Sequence, residues 1–95
     1  MTKPSEATTD AATLLADLIK CRSVTPAEGG TLTYLEKLLR SAGFDIERLT
    51  FSSENTPDVE TLFATIGSGK PHLVFNGHTD VVPPGDLADW ESDPF

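Results

Sequence analysis

Two hydrophobic spacings divide this chain. Up to Gly43 the apolar residues recur at three and four positions: Leu14, Leu15, Leu18 and Ile19 predict a first helix of about three turns, with Thr9 or Asp10 available as its N-cap. Leu32, Leu35, Leu39 and Ala42 predict one face of a second helix, which Gly43 closes as a left-handed cap. Thr25-Pro26-Ala27-Glu28 reads as a capping box opening that second helix, with proline at the first helical position, where its missing N–H costs nothing. Gly29 and Gly30 weaken its first turn by about 1 kcal/mol each relative to alanine. They also permit close approach of another backbone.

Beyond Gly43 the period becomes two. Phe44 and Ile46 alternate with Asp45 and Glu47 in a first strand, then Leu49 and Phe51 fall out of phase, which predicts a bulge near Arg48. Residues 52–58 read as a polar, acidic loop. Leu62, Ala64 and Ile66 share one face of a second strand, with Phe63 and Thr65 on the other. Gly67-Ser68-Gly69-Lys70-Pro71 turns the chain into a third strand, His72-Leu73-Val74-Phe75, whose continuous apolar run suits a strand buried in a parallel-type sheet. The expected fold class is therefore α/β, two helices followed by three strands of a mixed sheet. Residues 1–8 are expected to form a flexible tail, and residues 9–95 a portion of one domain with no internal repeat.

Composition narrows the function classes. A net charge of −8 with only seven dispersed Lys and Arg residues argues against nucleic acid, whose binding needs clustered cations. No apolar run approaches the roughly 18 residues that span a bilayer, and Met1-Thr2-Lys3-Pro4-Ser5-Glu6 lacks a charged-then-apolar leader, so a soluble cytoplasmic protein is expected. The single cysteine, Cys21, excludes an internal disulfide and a thiolate zinc knuckle, and reads as a small filler at a helix end.

The chemistry concentrates in Asn76-Gly77-His78-Thr79-Asp80-Val81-Val82-Pro83-Pro84-Gly85-Asp86. In extended backbone residues i and i+2 point to one face, so the imidazole of His78 and the carboxylate of Asp80 can meet. Ligands in open α/β sheets bind at the carboxyl ends of strands, where His78 is expected. A metal-bound histidine nearly always gives its second ring N–H to a carboxylate or carbonyl, and Asp80 is placed to be that carboxylate. A His-x-Asp at a strand end also occurs as a solvated turn, so the spacing alone does not decide. His72 cannot join His78 on one metal, because six residues of strand separate them by about 20 Å. Gly67-Ser68-Gly69-Lys70 lacks the spacer and the hydroxyl residue of a phosphate loop and leads to a strand. Asp86, Asp89, Glu91 and Asp93 form an acidic run of the kind usually found in a solvated loop. Pro83-Pro84 stiffens the turn that aims the motif.

The string GHTDVVPPGD, followed by Trp90-Glu91-Ser92-Asp93-Pro94-Phe95, resembles the first metal-binding motif of the dinuclear zinc aminoacylase and carboxypeptidase family. Cys21-Arg22-Ser23-Val24-Thr25-Pro26-Ala27-Glu28-Gly29-Gly30 and Ser41-Ala42-Gly43-Phe44 resemble the opening of those enzymes in order and spacing, so the likeness runs from about Leu14 to Phe95. It implies His78 as a metal ligand and Asp80 as the catalytic carboxylate that orients it. It further implies two zinc ions, with cobalt as a substitute, and a homodimer for the whole enzyme. The doubled proline followed by Gly-Asp is most similar to the members that hydrolyse the amide of N-succinyl-LL-2,6-diaminopimelate to succinate and LL-diaminopimelate, in lysine and diaminopimelate biosynthesis. The implied partner is thus a small succinylated amino acid, with no nucleic acid and no membrane. Acetylornithine deacetylases and carboxypeptidases of the same family are the alternative, as is a non-catalytic module that binds a partner through an exposed sheet edge.

Length bears on the same reading. A catalytic zinc site takes three protein ligands, and this chain offers two histidines, one cysteine and scattered carboxylates. In the resembled family the bridging aspartate, the general-base glutamate and the other ligands lie later in the chain. Asp93-Pro94-Phe95 reads as a stop within a loop, so the expectation is the first part of an enzyme, inactive by itself.

Overall fold

A computed structural model describes residues 10–95; the expected tail at residues 1–8, and Thr9 as a cap, lie outside the described residues. Asp10 caps α1, Ala11–Lys20: its carboxylate accepts from the Thr13 N–H at 3.0 Å, satisfying one of the free donors of the first turn. Cys21 stands at the opposite end as the C-cap residue. Helix α2, Thr31–Ser41, buries Leu32 on the expected apolar face, and Gly43 follows it at φ 97°. The two helices are tied by the Tyr34 hydroxyl, which donates to Asp17 Oδ2 at 2.8 Å.

The second helix begins later than its sequence suggests. Gly29 and Gly30 sit at φ 62° and 94°, a left-handed backbone that no α-helix contains, so Thr25–Glu28 cannot open it as a capping box. Glu28 still caps, from outside: its Oε2 accepts from the Leu32 N–H at 3.0 Å. The close backbone approach expected at this pair is real at Gly29, where an added Cβ would stand 2.4 Å from the Arg22 carbonyl.

Strands β1, Asp45–Ser53, and β2, Thr56–Thr65, form an antiparallel hairpin. Directly opposed residues share a face, so Ile46↔Ala64 and Arg48↔Leu62 turn one way, and Glu47↔Phe63 and Phe51↔Val59 the other. Pairing is regular through Arg48, and the irregularity falls between Phe51 and Ser53. Leu49 and Phe51 are out of phase with Ile46 because the second face is apolar too, not because the strand is bulged at Arg48. The expected acidic loop at 52–58 is likewise a tight turn, with Asn55 at φ 66° and Thr56 already in β2. Glu36 of α2 anchors the hairpin through Arg48, 3.2 Å away, which also reaches Glu60 at 3.6 Å.

The architecture is thus α/β with two helices and a two-stranded sheet. The expected third strand is not formed: residues 72–78 have no ladder partner, and Leu73, Val74 and Phe75 are 76, 70 and 89% exposed. A parallel-type strand exists only between neighbours that supply its hydrogen bonds, and no described residue supplies them here. Among the described residues, the parallel contact in this region is a bridge between Val24 and Val81. Among the described residues no helix is long and apolar enough to cross a membrane.

Candidate functional site

His78, Thr79 and Asp80 leave the unpaired segment and run into the Val24–Val81 bridge. The Val81 N–H donates to the Ser23 carbonyl and the Thr25 N–H to the Val81 carbonyl, both at 2.9 Å. This two-bond clamp fixes the backbone at Val81, the end of the motif, and exposure alternates over the three residues before it. Thr79 points inward, half-buried, while His78 and Asp80 flank it on the exposed side.

The two outward groups meet. His78 Nδ1 lies 3.1 Å from Asp80 Oδ1 and 3.0 Å from the Asp80 carbonyl oxygen. Both partners are acceptors, so Nδ1–H is the donor in this geometry, and in the neutral tautomer that makes these contacts the lone pair lies on Nε2 of a largely exposed ring. The hydroxyl of Thr25 and then the imidazole of His78 hold the Asp80 carboxyl below the usual carboxylate range. Asp80 is therefore an anion across the neutral pH range, suited to orient an imidazole and raise the basicity of its far nitrogen.

Thr25, Glu28, Leu32, Leu35, Val59, Leu62 and the 77–80 segment line an open groove between α2 and β2. The pair sits at its edge. The other sequence candidates are elsewhere employed or apart. Asp86 caps the short 3₁₀ helix Leu87–Asp89, accepting from the Ala88 N–H at 2.9 Å, and Asp93 accepts from the Phe95 N–H at 2.9 Å. Trp90 donates its indole N–H to the Pro84 carbonyl at 3.0 Å, pinning the loop beyond the doubled proline. Phe95 is half-buried, with the Arg22 guanidinium 4.7 Å from its ring centroid. Among the described residues no three His, Cys, Asp or Glu side chains gather closely enough to hold a metal ion.

Sequence reasoning missed the support beneath the pair. Ser23 and Thr31, 2 and 0% exposed, bind Thr79 from below: Ser23 Oγ donates to the Thr79 carbonyl at 2.8 Å, and the Thr31 and Thr79 hydroxyls lie 3.1 Å apart. The β-branched pair Val24-Thr25 was the available signal for a short extended segment here.

No family model matches the chain. Two curated proteins of similar sequence are both named succinyl-diaminopimelate desuccinylase. The one from Rhodopseudomonas palustris strain BisA53 is 53% identical over 89 residues, 94% of this chain, and the one from strain BisB18 is 54% identical over 92 residues, 97% of it. The chain spans 23% of the length of each relative. Over nearly all of its residues this chain is thus similar to about a quarter of a succinyl-diaminopimelate desuccinylase.

Proposed function

We propose that this chain is the opening part of a metal-dependent amide hydrolase that cleaves N-succinyl-LL-2,6-diaminopimelate to succinate and LL-diaminopimelate. The observation that carries the reading is the 53–54% identity to two desuccinylases across nearly the whole chain. The site geometry is in keeping with it, because the imidazole is tied at Nδ1 and open at Nε2.

The donor chemistry suits one ligand of a zinc or cobalt ion: His78 would donate through Nε2, while Asp80 accepts the Nδ1 proton and fixes the tautomer. Thr25, beside the carboxylate, keeps Asp80 ionised for that task. A pair of such ions, when bound, supplies an acidified water and polarises the amide carbonyl. The remaining ligands, the general base and the cationic groups for the substrate carboxylates are assigned to the rest of the longer protein.

The same reading accounts for the uncovered apolar surface. Leu73-Val74-Phe75 becomes an inner strand of a larger mixed sheet once neighbouring strands complete its ladder, and the Leu49, Phe51, Val59 and Phe63 face is covered with it. A cytoplasmic homodimer that uses neither nucleic acid nor membrane belongs to the proposal, on the strength of the resemblance alone.

The test is hydrolysis of N-succinyl-LL-2,6-diaminopimelate by the full-length protein, compared with N-acetylornithine and a peptide. Succinate release as the preferred reaction supports the reading. Preference for either competitor assigns the protein to a different branch, and no hydrolysis of any of the three overturns it.

A further inference from the structure

The residues that hold Thr79 lie far from it in sequence, and both Ser23 and Thr31 are buried. The Thr31 hydroxyl donates to the Glu28 carbonyl at 2.7 Å, an acceptor that has no proton to return. Thr31 has a single hydroxyl proton, so the 3.1 Å contact to Thr79 is made by the Thr79 proton entering a Thr31 lone pair. Ser23 donates to the Thr79 carbonyl at the same time. Thr79 is thereby held at both its side chain and its backbone, between the two residues of the His78–Asp80 pair.

We propose that Ser23 and Thr31 are positioning residues, whose hydroxyls fix Thr79 and so keep the His78 imidazole on the Asp80 carboxylate. The pair itself is exposed, with the His78 side chain 85% accessible, and solvent competes for both partners. Burial does not hold the ring in place. What restricts it is the stretch from Thr79 to Val81: Ser23 and Thr25 bind the Val81 backbone, Ser23 Oγ binds the Thr79 carbonyl, and Thr31 binds the Thr79 hydroxyl. Loss of either hydroxyl frees the Thr79 peptide to turn, and with it the i to i+2 alignment that brings Nδ1 to the carboxylate. The functional consequence rests on the reading of His78 as a metal ligand; the positional one rests on geometry alone.

The experiment uses the full-length, metal-free protein with ¹⁵N-labelled histidine at one fixed pH. Thr31→Val keeps the volume and removes the hydroxyl, Thr31→Ser keeps the hydroxyl, and Ser23→Ala tests the second contact independently. Wild type is expected to show His78 with its proton on Nδ1. Thr31→Val and Ser23→Ala are expected to shift the ring toward a mixture of tautomers and, in the metal-loaded protein, to lower kcat about 10-fold with KM unchanged. Thr31→Ser is expected to restore both. A folded Thr31→Val or Ser23→Ala protein with wild-type imidazole shifts overturns the proposal. If the tautomer responds while the wild-type protein hydrolyses no succinyl amide, the positioning role stands and the hydrolase reading falls.

Discussion

His78 Nδ1 lies 3.1 Å from Asp80 Oδ1 and 3.0 Å from the Asp80 carbonyl oxygen, so one residue supplies both acceptors for the inner nitrogen of the ring. The outer nitrogen is left free, and the two residues acquire different jobs. In the full-length protein His78→Ala is expected to remove one of two bound metals. Asp80→Asn is expected to keep the metal and lose about 10–100-fold in turnover, the usual scale for a group that orients a ligand. Metal content by elemental analysis, read beside turnover, separates the two roles; equal metal loss in both variants would contradict them.

The 95-residue chain alone offers a single oriented imidazole, with no cluster of three ligands among the described residues. It is expected to bind zinc no better than high micromolar and to hydrolyse nothing, since a catalytic zinc needs three protein ligands. Calorimetric titration with zinc checks this. Tight one-to-one binding would return His72 or the acidic run to consideration.

Gly29 is the tightest of the described glycines. Its φ of 62° is left-handed, and an added Cβ would stand 2.4 Å from the Arg22 carbonyl carbon and oxygen, whereas Gly30 at φ 94° faces open space. Gly29→Ala is expected to cost on the order of 1–3 kcal/mol or more, and Gly30→Ala less, from backbone strain alone. Thermal or urea unfolding of the two variants gives the order; an equal loss would refute the close approach.

Glu36 connects α2 to the hairpin through Arg48 and also pairs with Arg40 at 3.1 Å. Hydrogen bonds from Arg40 and Arg48 hold its carboxyl below the ordinary glutamate value. A carboxyl lowered on folding stabilises the fold fully above its unfolded pKa, and that contribution disappears as pH falls through the folded value. Stability is therefore expected to hold from neutrality to about pH 5 and then to decline. The decline should be shallower in Glu36→Gln, measured by melting temperature against pH; an unchanged slope would remove Glu36 from the linkage.

Phe75 distinguishes the chain alone from the longer protein. At 89% exposure, Phe75→Ala in the 95-residue chain is expected to fall within about 0.5 kcal/mol of the parent. In the full-length protein, where the segment is proposed to be an inner strand, the same change is expected to cost about 3–5 kcal/mol. Similar small effects in both would argue against a buried third strand.

Local spacing alone determined much of this protein. The i, i+3, i+4 recurrence of Leu14, Leu18, Leu32 and Leu35 marks both helices, Asp10 caps α1, Gly43 follows α2, and Ile46, Leu62 and Ala64 mark the sheet face toward α2, because each depends on neighbours within a few residues. The meeting of His78 with Asp80 was legible for the same reason, as extended backbone alone puts i and i+2 together. Tertiary structure decided what depends on distant partners. The start of α2 moved to Thr31 because the Gly29 turn packs on Arg22, and the apparent bulge at Arg48 became a second apolar face once pairing was seen. Residues 72–78 have a strand-like sequence but no ladder, since strand hydrogen bonds belong to the pair and not to the segment. The hydroxyls of Ser23 and Thr31 became part of the site only when folding carried them across 56 and 48 residues to Thr79, a separation that no local pattern encodes.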